Sequence, residues 1–354
     1  MKIAFTADLH LTNLEDHPER YHAFENILLQ MIDSEVVELI IAGDLFDQTL
    51  MNYSDFESLL NKEIYKDLKI HIIPGNHDDS ISNAAIVLDN VFIYSEPHIL
   101  EFDGVNTSIL FLPYLKGKTM GEIIENHTNK LDPNNWILVG HGDWMEGIKE
   151  PNPYEPRVYM PLTSQDIRRY QPKRVFLGHI HQSSDQEKIH YIGSPCGLDI
   201  TETGKRSCIV YDLFTDKYVR FHVSTDYIYF DETFLLLPME NEEEYILKEV
   251  NERILRWGIS KGEQAKIKVR VKLTGYSLDR NKALDSIKKA FKNYKFYLGD
   301  DPDTSELKLS TDHDLQYIAN CIKERIDVLN WRDATEEPNR KDILEKALAM
   351  IYGE

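Results

Sequence analysis

The chain has 354 residues, 28% of them charged and 42% hydrophobic, which leaves room for one large domain plus one or two small ones with ample core. No run of eighteen apolar residues occurs, and Met1-Lys2-Ile3 opens straight onto a strand pattern, so neither a membrane span nor a signal peptide is expected. Cys196, Cys208 and Cys321 form no Cys-x-x-Cys pair, which argues against a disulfide framework or a zinc–thiolate site and points to a reducing cytoplasm.

The formal net charge is −20, but it is unevenly spread. Arg253 to Gly299 holds thirteen Lys/Arg against three Asp/Glu, a local +10, which leaves −30 on the rest of the chain. Such a chain repels polyanions over most of its surface and attracts them at one place.

Taken in chain order, five short apolar runs stop at residues able to hold a metal. Lys2–Ala7 ends at Asp8-Leu9-His10, Val36–Gly43 at Asp44, and Ile70–Gly75 at Asn76-His77-Asp78. Trp136–Gly140 ends at His141, and Val175–Gly178 at His179-Ile180-His181. Runs of this kind read as buried strands of an α/β sheet. The ligand crevice of such a sheet lies beyond the carboxyl ends of its strands. Helix-spaced apolar residues over Glu19–Ser34 and Tyr53–Asp67 supply connections between the first three strands. Past Phe92 the strand patterns crowd together, through Thr107–Leu112, Ile189–Ile192 and Ser207–Tyr211. A parallel-rich sheet with antiparallel additions, layered as an α/β sandwich, is expected.

The stretch Tyr227–Glu244, with Pro238 and an acidic run, reads as a crossover into a second domain. Its expected elements are a helix over Glu244–Trp257, a strand over Ala265–Leu273, a helix over Asp279–Phe291 and a short strand over Lys295–Leu298. After a polar break at Gly299–Ser305, Asp314–Leu329 and Lys341–Tyr352 read as amphipathic helices joined by Trp331–Arg340.

Asp8 and His10 stand two apart after a strand, so both can face one side of the crevice. Gly43 lets the backbone turn tightly beside Asp44, and Asn76 offers an uncharged oxygen. With His141, His179 and His181 the set is two carboxylates, one amide and four imidazoles, with no thiolate. That is too many for one ion and about right for two divalent ions with a bridging carboxylate. The donor mix suits manganese, iron or zinc. His77, next to Asn76, is the candidate general acid because an imidazole titrates near neutral pH. Asp47 is the candidate to orient the His77 ring. Gly117-Lys118-Thr119 looks like the end of a phosphate-binding loop, but Leu112 stands where that motif needs glycine, so no nucleotide-hydrolysis motif is read.

The ordered blocks Asp8-Leu9-His10, Gly43-Asp44-Leu45-Phe46-Asp47, Gly75-Asn76-His77-Asp78, Gly140-His141 and Gly178-His179-Ile180-His181 resemble the calcineurin-like metallophosphoesterases over about residues 1–200. The resemblance implies Asp8, His10, Asp44 and His181 around one ion, and Asp44, Asn76, His141 and His179 around the other. It also supports the role of Asp47, which matches the aspartate of the phosphatase branch; archaeal and eukaryotic repair nucleases carry histidine there, and this chain follows the bacterial pattern.

In the second domain, Lys266, Lys268, Arg270 and Lys272 alternate strictly with apolar residues. Cations on one strand face recur every ~6.5–7 Å, comparable with phosphate spacing in an extended nucleic-acid strand. Lys282, Lys288, Lys289, Lys292 and Lys295 add to them, interleaved with Tyr294, Phe296 and Tyr297, so a DNA-binding face is expected, with a solvated strand face as the alternative. This layout, with Tyr191-Ile192-Gly193-Ser194-Pro195, is similar to the SbcD branch of the family, phage members included. That similarity implies a layered α/β/β/α sandwich over residues 1–230, a small basic α+β domain capping DNA over 231–305, and C-terminal helices over 306–354.

It further implies a homodimer that cuts DNA with Mn2+, as exonuclease and endonuclease, in double-strand-break repair and recombination. Its C-terminal helices would dock on the coiled coil of an SbcC-type ABC ATPase. Leu315, Ile318, Ile322, Ile326 and Leu329 fall at helical spacing for that docking, or for packing on the protein's own core. The competing readings are a phosphatase or cyclic-nucleotide phosphodiesterase of the same fold, and a non-catalytic DNA-binding scaffold.

Overall fold

A computed structural model describes residues 1–48, 53–82, 86–145, 158–239, 241–310, 312–329 and 340–352. The chain divides into two compact units, Met1–Leu198 with Lys205–Asp226, and Asp199–Gly204 with Tyr227–Glu354.

The strands of the first unit are β1 (Lys2–Thr6), β2 (Glu38–Ala42), β3 (Lys69–Ile73), β4 (Val91–Ile93), β5 (His98–Leu100), β6 (Ser108–Leu112) and β7 (Trp136–His141). They continue with β8 (Trp144–Met145), β9 (Leu162–Thr163), β10 (Arg174–Gly178), β11 (Ser184–Gln186), β12 (Ile189–Tyr191), β13 (Arg206–Asp212) and β14 (Lys217–Val223). Two six-stranded sheets result, in the orders β14-β13-β1-β2-β3-β4 and β11-β12-β10-β7-β6-β5. Pairing from β1 to β4 is parallel, as it is among β6, β7, β10 and β12. The strands β13, β14, β11 and β5 add antiparallel margins.

Every residue of β2 and β7 is buried, because each sheet is covered on both faces. On the outer face of the first sheet, α1 (Pro18–Asp33) and α2 (Ser54–Leu60) set Phe24, Ile27 and Phe56 against Leu39, Ile41 and Ile70. Between the sheets, Ile3, Phe5 and Ile40 meet Phe111, Val139 and Phe176. The Phe5 and Phe176 rings stack with centroids 4.3 Å apart. On the far side, α3 (Met120–Glu125) and α4 (Ser164–Tyr170) cover the second sheet through Met120, Ile124 and Ile167. Both of these short helices open on a capping box, Thr119 with Glu122 and Thr163 with Asp166. The result is the expected α/β/β/α sandwich.

The second unit is built on β15 (Ile228–Leu236), β16 (Ile267–Ser277), β17 (Lys295–Phe296) and β18 (Asp303–Leu309), all paired in parallel. Helices α5 (Glu242–Arg256) and α6 (Arg280–Ala290) bury Ile246, Val250, Ala283 and Ile287 in a core with Phe230, Phe234, Val269 and Val271. The segment read as a crossover thus contains a nine-residue strand. Its period-two signal is hidden by Glu232, a buried carboxylate in the apolar row that accepts from Arg253 and from Trp257 Nε1 at 2.7 Å. The polar break likewise holds the start of β18, which buries only Leu307 and crosses position 305, where the sequence reading divides the last two segments.

Helices α7 (His313–Val328) and α8 (Arg340–Ile351) set Ala319, Ile326, Leu344 and Leu348 against Leu237 and Tyr276. Of the expected apolar stripe, Ile322 and Ile326 pack inward, while Ile318 and Leu329 are exposed. Residues 331–339 of the expected joining segment lie outside the described residues. No helix among the described residues is long and apolar enough to cross a membrane.

Candidate metal centre

Five strand ends deliver the candidate ligands to one rim. Asp8 and His10 follow β1, Asp44 follows β2, Asn76 and His77 follow β3, His141 closes β7, and His179 and His181 follow β10. Both sheets of the sandwich therefore contribute. Main-chain bonds lock the loops together: Asp8 N–H donates to the Gly43 carbonyl at 3.0 Å and His10 N–H to the Asp44 carbonyl at 3.0 Å. The His179 N–H donates to Asp8 Oδ1 at 2.9 Å, and the His77 N–H to Asp44 Oδ1 at 2.9 Å.

The backbone is strained where these side chains turn inward. Asp8, His10, Asp44 and His179 have φ of 54°, 47°, 49° and 90°, the left-handed region that costs non-glycine residues of order 1–3 kcal/mol each. Such strain persists only where the surroundings over-determine it, and it clusters at functional sites. Two glycines make the close approach possible. A Cβ on Gly43 would lie 2.0 Å from His141 Nδ1, and one on Gly75 would lie 2.1 Å from Asp44 Oδ1.

The side chains converge in two overlapping groups. In the first, His10 Nε2 and His181 Nε2 face each other at 3.1 Å, and Asp8, His10 and His181 offer ligand atoms within 4.8 Å of one another. In the second, Asn76 Oδ1 lies 2.9 Å from His141 Nε2 and 3.1 Å from His179 Nδ1. Asp44 Oδ2 stands between the groups, 3.2 Å from His141 Nε2 and 3.7 Å from His10 Nε2. That is the position a bridging carboxylate would take. All seven residues read from the sequence meet here. His77 lies beside them, its ring centroid 4.7 Å from that of His10.

Electrostatics divide the histidines. His141 is fully buried, which opposes charge, yet Asp44 and Asp8 push its pKa up to about 10. Burial, aided by His141, drives His179 down to about 3, so it is neutral at any physiological pH. Asp8 is raised by burial, whereas Asp44, equally buried, is held below the usual carboxylate range by His141 and His10.

Asp47 does not sit as the sequence suggested. The His77 ring meets the Asp47 main-chain carbonyl, 3.1 Å from Nδ1, while the Asp47 carboxylate lies 3.2 Å from His10 Nδ1. A carboxylate there fixes the His10 tautomer and presents its Nε2 lone pair to the centre. The Ala42 carbonyl, 3.0 Å from His141 Nδ1, does the same for His141.

Three residues have supporting roles that the sequence analysis does not assign. Asp78 is buried and accepts the N–H groups of Gly75 at 2.7 Å and Phe46 at 3.1 Å, tying two loops together. Burial and the neighbouring Asp44 push its pKa up to about 7. Arg20 and Arg206 donate to the main-chain carbonyls of His10 and His181 respectively. Asp78 closes the Gly75-Asn76-His77-Asp78 block, but no role is read for it there; no local signal marks the arginines, which arrive from α1 and β13.

The proposed DNA-binding cations lie in the second unit. In β16 the apolar residues Ile267, Val269, Val271 and Leu273 are buried and the alternating cations point away from that core. Adjacent strands and helices supply acids that the linear pattern did not show. Arg270 pairs with Asp231, Lys272 with Glu306, Lys288 with Asp301 and Lys289 with Glu243. The Lys268 ammonium lies 3.5 Å from the Tyr227 ring centroid, Lys266 ends the short turn before β16, and Lys292 is exposed.

The donor set fits a pair of cations on its own geometry. Asp8 Oδ2 is buried without a hydrogen-bond partner, and two imidazole nitrogens face each other across 3.1 Å. Residues 1–183 match the family described as calcineurin-like phosphoesterase, and the chain belongs to that family, whose fold binds a dinuclear metal centre. It is a metal-dependent phosphoesterase by family.

Among relatives, the DNA double-strand break repair protein Mre11 of Methanopyrus kandleri is 28% identical over 232 residues, which cover 57% of this chain and 50% of that protein. Exonuclease subunit 1 of Enterobacteria phage T4 is 26% identical over 196 residues, 49% of this chain and 52% of that protein. A probable cyclic nucleotide phosphodiesterase of Coxiella burnetii is 27% identical over 202 residues, 51% of this chain and 76% of that protein. The alignments thus span about half the length of the first two relatives.

Proposed function

We propose that this protein is a manganese-dependent DNA nuclease, with exonuclease and endonuclease action, that serves as the catalytic subunit of an SbcCD-type repair and recombination complex. The observation that carries the phosphodiesterase reading is the meeting of Asp8, His10, Asp44, Asn76, His141, His179 and His181 at one rim, with His77 beside them. Asp8, His10, Asp44 and His181 would hold one ion, and Asp44, Asn76, His141 and His179 the other. When bound, two such ions supply Lewis acidity toward phosphoryl oxygens and a lowered pKa for water. His77, whose N–H bonds Asp44 and whose ring meets the Asp47 carbonyl, would give a proton to the leaving oxygen.

Two relatives named for DNA repair and exonuclease activity support DNA as the substrate, as does the cationic row of β16 in the second unit. In this reading Lys266, Lys268, Arg270, Lys272, Lys288, Lys289 and Lys292 contact phosphates, and the exposed residues of α7 and α8 face an ABC-type ATPase. Exposed ion pairs such as Lys289–Glu243 hold these cations weakly, roughly 0–1 kcal/mol each, so a phosphate can compete for them. The second reading is a cyclic-nucleotide phosphodiesterase. It is supported by the Coxiella relative and by the acids that partner four of the cations.

The deciding experiment incubates the protein and manganese with end-labelled duplex and hairpin DNA, with cyclic nucleotides, and with a chromogenic phosphodiester. DNA cleavage that exceeds turnover of cyclic nucleotides supports the nuclease. Turnover of cyclic nucleotides with intact DNA supports the alternative. Tight DNA binding with no hydrolysis of any substrate under any divalent ion would leave the scaffold reading.

A further inference from the structure

Beside His179 stands a carboxylate that no part of the reading above employs. His179 turns Nδ1 toward the centre, 3.1 Å from Asn76 Oδ1, and its other ring nitrogen, Nε2, is buried without a hydrogen-bond partner. Asp143 Oδ1 lies 3.7 Å from that Nε2. Among the described residues, three bonds hold Asp143 in place. Its Oδ2 accepts the Tyr159 N–H at 2.7 Å, its N–H donates to the Tyr159 carbonyl at 2.8 Å, and its carbonyl accepts the Leu162 N–H at 2.8 Å. The Tyr159 ring in turn lies against the His179 ring, with centroids 4.9 Å apart.

We infer that Asp143 is a positioning residue for His179: its carboxylate, 3.7 Å away, holds the ring proton on Nε2 as the acceptor toward which that N–H points, and so reserves the Nδ1 lone pair for a cation held with Asn76 and His141. An imidazole can offer one nitrogen to a metal only if the proton sits on the other, and the group accepting that proton decides which. His10 and His141 have such acceptors in the Asp47 carboxylate and the Ala42 carbonyl. Asp143 completes the pattern for His179, with the opposite ring nitrogen protonated. The bond from the Tyr159 N–H helps hold this mostly buried acid, two residues beyond His141, in that orientation.

The variant Asp143→Asn separates positioning from packing. Its side-chain oxygen can still accept the Tyr159 N–H, but its NH2 group then faces His179 and favours the wrong tautomer. Calorimetric titration of the full chain with manganese alone should show one ion bound as in the parent and the second bound ~10–100-fold more weakly. The exchange-coupled dimanganese signal in electron paramagnetic resonance should be lost at two equivalents. Two ions bound with parental affinity by Asp143→Asn would overturn the inference.

Should that variant melt several degrees lower without metal, long-range 15N–1H spectra of the zinc-loaded parent decide instead. Nε2 protonated on His179 supports the assignment, and Nδ1 protonated refutes it. The inference rests on the dinuclear reading of the site, and the two fail differently. A parent that binds no divalent ion sinks that reading, whereas unchanged two-ion binding in the variant sinks only the role of Asp143.

Discussion

The Asp47 carboxylate offers a sharp test, because sequence and structure assign it to different partners. Substituting Asp47→Ala removes the contact 3.2 Å from His10 Nδ1 and leaves the main-chain carbonyl that meets His77 at 3.1 Å. Losing a carboxylate behind a ligating histidine typically costs 10–100-fold in metal affinity, which is about 1.4–2.7 kcal/mol. The Asp47 side chain is 38% exposed, and solvent screening places the expected loss at the lower end, about tenfold. Turnover at saturating manganese should then stay within a few-fold of the parent, since the acid keeps its orientation. Manganese titration by calorimetry, paired with kcat at saturating metal, reads both quantities. A kcat lowered a hundredfold or more with metal affinity unchanged would show that the carboxylate works through His77 after all, the loss being that of a general acid.

Three further outcomes follow from the same geometry. His77→Ala should bind two ions yet lose ~10²–10⁴-fold in turnover, and full activity would remove His77 from proton transfer. Phe176→Ala, which empties a fully buried position stacked on Phe5 between the sheets, should cost ~3–5 kcal/mol. For a unit of this size that lowers the melting temperature by roughly 6–20 °C, and a shift under 3 °C would contradict the packing. Despite partial burial, Asp216 is held below the ordinary carboxylate range by Arg174 and by the Tyr211 hydroxyl. Its stabilising contribution is therefore complete above the unfolded-chain value and disappears as pH falls through the lower native value. Urea midpoints should put Asp216→Asn below the parent at pH 7, with the gap closing in acid below pH ~4; a gap that widens in acid would invert the sign.

The rim was legible in the sequence because each part of it is local. A β-branched run that ends at Asp8-Leu9-His10 or Gly178-His179-Ile180-His181 states both a strand and its payload within ten residues. The sheet rules then bring separate strand ends together. Features created only by the third dimension stayed hidden. The alternation Lys266-Ile267-Lys268 predicted which face is cationic, yet Asp231 and Glu306 come from neighbouring strands and could not be counted along the chain. Glu232 disguised β15 because its desolvation is offset by Arg253 and Trp257, more than twenty residues away. The motif spacing put Asp47 near His77 correctly, but which of its oxygens faces the ring depends on a rotamer that no spacing encodes.

The candidate ligands are drawn from both halves of the sandwich: Asp8, His10, Asp44 and Asn76 hang from one sheet, while His141, His179 and His181 hang from the other. Anything that grips all seven rivets the two layers together, so occupancy of the rim and resistance to melting become one thermodynamic quantity. At a hundredfold excess over Kd each independently bound ion would add ~2.7 kcal/mol to the folded state, and a chelator would withdraw it. Conversely, a cavity made deep between the layers, far from any chemistry, should surface as looser retention of the ions.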